Sequence, residues 1–268
     1  MVAGVLIKRC MAGAVLGLLL TGGARLRAEG ENRDPKAVEV ARTMMQAMGG
    51  EDAWNSAHFV RFDFKVKAGG KLVADNAHLW DRKDGRYRFE HADKDGKRQV
   101  ILFSIGDYER NKAGEAYLDG KKMEGEAGRK VVDDAYGSYI NDSWWLCMPW
   151  KWFATGVNLK YLGPQKHGDA PADVVELTFG HVGLTPGDMY HAFVSQKSHL
   201  MTYWEYTLQS KTKGAWDWQY VDTKGVKLAS NHVSSDHKAT INMGNVRILD
   251  AVEDGFFTDP SMALSALK

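Results

Sequence analysis

The sequence predicts a mainly β (α+β) fold. The expected object is a curved antiparallel sheet of about eleven strands forming a half-barrel, with an N-terminal helix and a central helix covering its apolar face. Three observations carry this reading. Turn chemistry recurs roughly every 8 to 14 residues between apolar runs. The best-defined run alternates strictly with a period of two. The segments with helical periodicity lie at the start and in the middle of the chain, leaving no room for parallel crossovers between strands.

Residues 1–28 read as an export signal. Lys8 and Arg9 precede an apolar run from Met11 to Leu20 that is too short to span a bilayer, and cleavage sites follow Ala24 or Ala28. Cys10 lies before that run, so it is not placed for lipid attachment. Residues 29–268 then form one domain, periplasmic or secreted, with no stable membrane insertion once the signal is removed.

The first helix has Asp34 as N-cap, Pro35 at its first position and Gly49-Gly50 at its end. Val38, Ala41, Met44, Met45 and Met48 share one face. In the next element Val60, Phe62, Phe64 and Val66 alternate with Arg61, Asp63, Lys65 and Lys67, as in a strand with one dry and one wet face. Turn signals follow at Gly69-Gly70, Asp84-Gly85, Lys94-Asp95-Gly96, Ile105-Gly106-Asp107, Lys112-Ala113-Gly114 and Asp119-Gly120. From Lys130 to Met148 the spacing becomes helical, and Pro149 ends that helix. Trp150 and Trp152 are expected on an extended segment beyond it. Strands then resume from Val157 to Leu249.

Composition excludes several classes. The 35 basic and 34 acidic residues are interspersed, and residues 1–28 hold four of the bases and no acid, so the exported chain is slightly acidic. No basic footprint for nucleic acid is present. Of the 2 cysteines only Cys147 lies beyond the signal, so no intramolecular disulfide forms in the exported chain. Its apolar neighbours Leu146 and Met148 argue against a reactive thiol. Phosphate loops, dinucleotide fingerprints, nucleophile elbows and zinc-protease helices are absent, so no cofactor is expected.

Four strings carry a family resemblance: WWLCMPWKW (Trp144–Trp152), GVNLKYLGP (Gly156–Pro164), HVGLTPGDMYHAFV (His181–Val194) and LMTYWEYTLQ (Leu200–Gln209). They resemble a family of uncharacterised exported bacterial proteins that is similar, at the level of fold, to the lipoprotein-localisation (LolA/LolB-like) superfamily. The resemblance implies an N-terminal helix, an eleven-stranded half-barrel and helices over an apolar cavity. It implies as partner an apolar small molecule or lipid, with a lipoprotein or another envelope protein as further candidates.

Four tryptophans within residues 144–152 raise the question of function. Such a cluster packs a lid helix into a core or walls a cavity. The ligand-binding candidates are Trp144, Trp145, Met148, Trp150, Trp152, Trp204 and Tyr206. Trp204, Tyr206, Trp216, Trp218 and Tyr220, at two-residue spacing, suggest cross-strand aromatic ladders. The reading that follows is an exported, non-catalytic protein that binds an apolar ligand. One alternative is an envelope enzyme or metal site using His232, Asp236 and His237. Another is a protein-interaction or envelope-stress sensor module. The Asp93-x-Asp95-Gly96 stretch is a hairpin turn rather than a calcium loop.

Overall fold

The computed structural model describes residues 32–180 and 185–267. The expected export segment lies outside them, as do His181 and the start of the turn that contains Pro186. Helix α1 (Pro35–Ala47) begins where Asp34 accepts hydrogen bonds from the amides of Lys36 (2.7 Å) and Ala37 (3.4 Å). After Gly49-Gly50 comes a short helix the sequence reading omitted, α2 (Glu51–Ser56). Gly49 is required twice over. Its φ is +120°, and a Cβ there would lie 2.0 Å from the carbonyl oxygen of Gly225.

The first sheet region runs through β1 (Phe59–Ala68), β2 (Lys71–Asp81), β3 (Arg86–Ala92), β4 (Arg98–Ser104), β5 (Glu115–Leu118) and β6 (Lys121–Lys122). Between β4 and β5 the expected turn at Ile105 is a helix, α3 (Ile105–Asn111), with Ser104 as its cap. Helix α4 (Gly125–Cys147) follows, then a 3-10 turn (Met148–Lys151) that contains Pro149. Trp150 therefore sits on a 3-10 turn, with Trp152 just after it, instead of on an extended segment. A proline at the start of such a turn leaves no missing hydrogen bond, because the first amides of a helix are unpaired anyway.

The second half contains β7 (Val157–His167), β8 (Ala170–Phe179), β9 (Met189–Ser195), β10 (Met201–Thr207), β11 (Lys213–Asp217), β12 (Gln219–Thr223), β13 (Val226–Val233) and β14 (Ala239–Leu249). Among the described residues all strand ladders are antiparallel. They form a nine-stranded sheet, β12-β13-β14-β1-β2-β3-β4-β5-β6, and a five-stranded sheet, β11-β10-β9-β8-β7. The chain passes from one sheet to the other at Trp218, between β11 and β12, and an isolated bridge from Trp216 to Ser234 joins the sheets there. The result is an open, curved half-barrel, as the alternation and turn spacing predict.

Helix α4 fills its concave side. The first half packs Val132, Ala135, Tyr136 and Tyr139 on Tyr87, Phe89, Ile101 and Phe103 of β3 and β4. In the last two turns every residue from Asn141 to Cys147 is buried. These turns enter the main core beside Phe62, Phe64 and Val66 of β1 and the aromatic residues of β10 and β11.

The outer face of β1 differs from expectation. Arg61 and Asp63 are buried and paired at 2.5 Å rather than wet. The segment after β14, with helix α5 (Gly255–Thr258), returns across this side and packs Phe256, Phe257 and Leu264 on Phe59 and Leu79. Arg88, fully buried, holds it by donating to the carbonyls of Phe256 and Asp259 at 2.9 Å, while Glu90 accepts the amide of Leu264 at 3.1 Å.

Trp145 meets Trp204 edge-on at 4.9 Å, Trp216 at 5.1 Å and His232 at 5.1 Å. Trp145→Ala is expected to lower unfolding free energy by about 3–5 kcal/mol in urea titrations, as for a large aromatic removed from a packed core. A cost well below about 1 kcal/mol would show instead that the indole borders empty space.

Candidate functional site: a groove at the mouth of the half-barrel

The tryptophan-rich segment divides in two. Trp144, Trp145, Met148 and Trp152 are buried in the core, and the Trp152 indole donates to the Met148 sulfur at 2.9 Å. Trp204 and Tyr206 point into the same core. Trp204 stacks on Tyr190 at 4.8 Å and pairs in register with Trp216, and Tyr206 lies over Gly214. Of the seven candidate residues, Trp150 borders a cavity of about 780 Å³, and Tyr206 borders a smaller one of about 530 Å³ on the five-stranded sheet.

The larger of the two is a groove of about 780 Å³, within the range of small-molecule sites. It runs between α1 and α2 on one side and β2, α3 and α4 on the other. Its apolar wall is Met45, Trp54, Trp80, Ile105, Tyr139, Trp150 and Phe153. Trp54 is carried to it by α2, the short helix that leads into β1. There it stacks on Trp150 with centroids 5.4 Å apart and planes at 15°. Trp150 is fixed by donating its indole N–H to the Lys227 carbonyl at 3.0 Å. Trp80 meets Tyr139 edge-on at 5.8 Å. The aromatic faces are thus held in fixed orientations.

Two cations enter this apolar setting. The Arg82 guanidinium lies over the Trp54 ring at 3.6 Å, and its Nη1 donates to the carbonyls of Trp54 and Ala57, the latter at 2.7 Å. Lys151 donates from Nζ to the Ser143 hydroxyl at 3.1 Å. Burial brings the Arg82 pKa down to about 10. Burial lowers Lys151 as well, and the nearby positive charge of Arg82 adds to that shift. The acids of the groove, Glu51, Asp84 and Glu109, are not paired with either cation. Glu109 accepts from the Tyr136 hydroxyl at 2.9 Å, and Asp84 faces Arg86 at 3.9 Å.

The alternative metal triad is not assembled. His232 is fully buried, its Nε2 against the Trp145 carbonyl at 3.0 Å. Asp236 accepts from Ser234 at 2.7 Å, and His237 occupies a turn with φ of 56°. Among the described residues one group of metal-type side chains converges: His58, Asp81 and Asp84. Its buried Asp81 is already occupied, taking hydrogen bonds from His58 and the amides of Lys83 and Asp84, and an ion pair with Arg86 at 2.7 Å. It is a turn-capping cluster. Cys147 is fully buried, its thiol donating to the Ser143 carbonyl at 3.0 Å, and burial pushes its pKa up.

Most groove residues escaped sequence reading. Trp54 lies past the glycines taken as the end of the first helix. Arg82 and Lys83 looked like an ordinary charged hairpin turn. Trp80 ends a weakly alternating strand, and Lys151 is a single charge among the tryptophans of residues 144–152. The one available signal was the unusual presence of isolated tryptophans, Trp54 and Trp80, at element ends.

No protein-family model and no curated protein matches the chain. Among solved structures it is similar to a DUF1329 family protein from Desulfovibrio piger, at 12% identity and TM-score 0.46, covering 88% of this chain and 100% of that one. It is also similar to a LolA superfamily protein from Nitrosomonas europaea, at 10% identity and TM-score 0.47, covering 82% and 96%.

Burial lowers the pKa of His232 to about 3 and also lowers His78. His232 is neutral in the fold but takes up a proton near pH 6.5 when unfolded, and burial of His78, against the opposing pull of Asp142, acts with the same sign. The unfolded state therefore binds more protons below that pH, and stability falls as pH falls. The expected slope from His232 is about 1.4 kcal/mol per pH unit below about pH 6. Urea titrations between pH 7 and 5, above the carboxylate range, should show this decline, and His232→Phe should reduce its slope by one proton. An unchanged slope in that variant would contradict the assignment.

Proposed function

We propose that this chain is an exported, non-catalytic protein of the bacterial envelope, periplasmic or secreted, that binds an apolar ligand in the groove at the mouth of its half-barrel. A lipid or the acyl part of a lipoprotein has the required character. The observation that carries the reading is the apolar wall of Met45, Trp54, Trp80 and Trp150 around a cavity of about 780 Å³. Preoriented aromatic faces beside a few fixed polar groups are what small-molecule sites need. The reading shifts the ligand from the centre of the barrel to its mouth. Trp150 contacts it, while Trp144, Trp145, Met148, Trp152, Trp204 and Tyr206 contribute by holding the wall in place.

Among the described residues no helix is long and apolar enough to cross a membrane. The export reading rests on residues 1–28, with Lys8, Arg9 and the apolar run after them.

Mass spectrometry of organic extracts from purified protein should recover an apolar compound, and a hydrophobic fluorescent probe should compete for the site. Trp54→Ala is expected to weaken probe binding about tenfold or more, since it removes much of one aromatic wall. The fold should survive, because Trp54 lies at the groove edge of the core. A protein that yields no lipid and takes up no probe contradicts the proposal, as does probe binding insensitive to both Trp54→Ala and Trp80→Ala.

A further inference from the structure

Buried arginines in this protein are normally compensated. Arg61 pairs with Asp63 at 2.5 Å and Arg88 with Glu90 at 2.6 Å. Half-buried Arg82 departs from this pattern. Among the described residues it has no carboxylate partner; its hydrogen bonds are made by Nη1 alone, and its buried Nε has none. Lys151 lines the same groove, with the Ser143 hydroxyl as its hydrogen-bond partner and the Trp144 ring centroid 5.7 Å from its Nζ. Two cations lining one partly desolvated groove, neither paired with an acid among the described residues, are a costly arrangement unless something else neutralises them.

We infer that the groove takes an acyl-chain amphiphile whose anionic head, a carboxylate or a phosphate, seats against Arg82 and Lys151 while its chain lies along Trp54, Trp80 and Trp150. This rests on the reading of the groove as an apolar-ligand site and adds the charge of the ligand. The geometry suits a planar or tetrahedral oxyanion. The Trp54 ring covers one face of the guanidinium and Nη1 is occupied by two carbonyls, which leaves Nη2 to donate to an oxyanion. Lys151 supplies a second, compact charge. The lowered pKa values of both cations would return toward normal on binding, as each gains a counter-charge.

The test compares ligands of one chain length by calorimetry on the intact chain: laurate, dodecyl phosphate, dodecanol and dodecyltrimethylammonium. At least one of the two anions should bind tenfold or more tighter than dodecanol, with the cation weakest. A preference for laurate indicates a fatty-acid-type head, a preference for the phosphate a phospholipid-type head, and either supports the inference. Lys151→Gln should cut anion affinity by about tenfold and leave dodecanol unchanged. Arg82→Gln should do the same, but it also removes donors that hold α2, so Lys151→Gln is the decisive variant. As a direct readout, the NMR-detected pKa of Lys151 should rise when the anion binds. Dodecanol binding as tightly as both anions, with Lys151→Gln without effect, would overturn the inference and leave the apolar groove standing. Failure of all four ligands to bind would overturn the groove itself.

Discussion

The rest of the structure depends on the burial of one helix end. An open antiparallel sheet with a single apolar face must cover that face, and here the last two turns of α4 are driven into the concavity until no side of them faces water. Trp145 stands at the centre of the contact, ringed by Trp204, Trp216, Trp218 and His232. Because protein interiors pack to near-crystalline density, a helix end carrying two indoles leaves little space beneath it. The free volume moves to the mouth, where α1, α2 and α3 meet α4 without closing.

A polar tether fixes how far the helix enters. Asp142 accepts from Asn76 at 2.8 Å, from His78 at 3.0 Å and from Asn141 at 2.7 Å, and His78 also contacts the Tyr87 hydroxyl at 2.9 Å. Buried polar groups bonded in this way specify one arrangement over its neighbours, since a shift of the helix would leave a carboxylate unpaired in a low-dielectric core. The same positioning sets Tyr139, Trp150 and Lys151 along the groove. The site is thus a consequence of how the core closes.

Local pattern made the strands, the first cap and the central helix legible, since each is written in residues close together in the chain. The alternation of Val60 to Val66 and the Asp34-Pro35 pair needed no tertiary context. What depended on distant chain was hidden. Arg61 and Asp63 read as solvent-facing because alternation cannot show that residues beyond 250 return over the outer face. The tryptophans of residues 144–152 marked the right region, but only the angle at which α4 enters the sheet separates the indoles that fill the core from Trp150 at the groove. Arg82 stood out least, because a missing partner has no sequence signature.

A filled barrel interior leaves the groove at its mouth as the proposed place of binding. Fluorine NMR of the protein carrying 5-fluorotryptophan tests it directly, with the nine indoles assigned by single substitutions and a C12 amphiphile titrated in. If ligand binds in the groove, the resonances of Trp54, Trp80 and Trp150 shift while those of Trp145, Trp204, Trp216 and Trp218 stay in place. Movement of Trp145 and Trp204 with the groove tryptophans silent would contradict it.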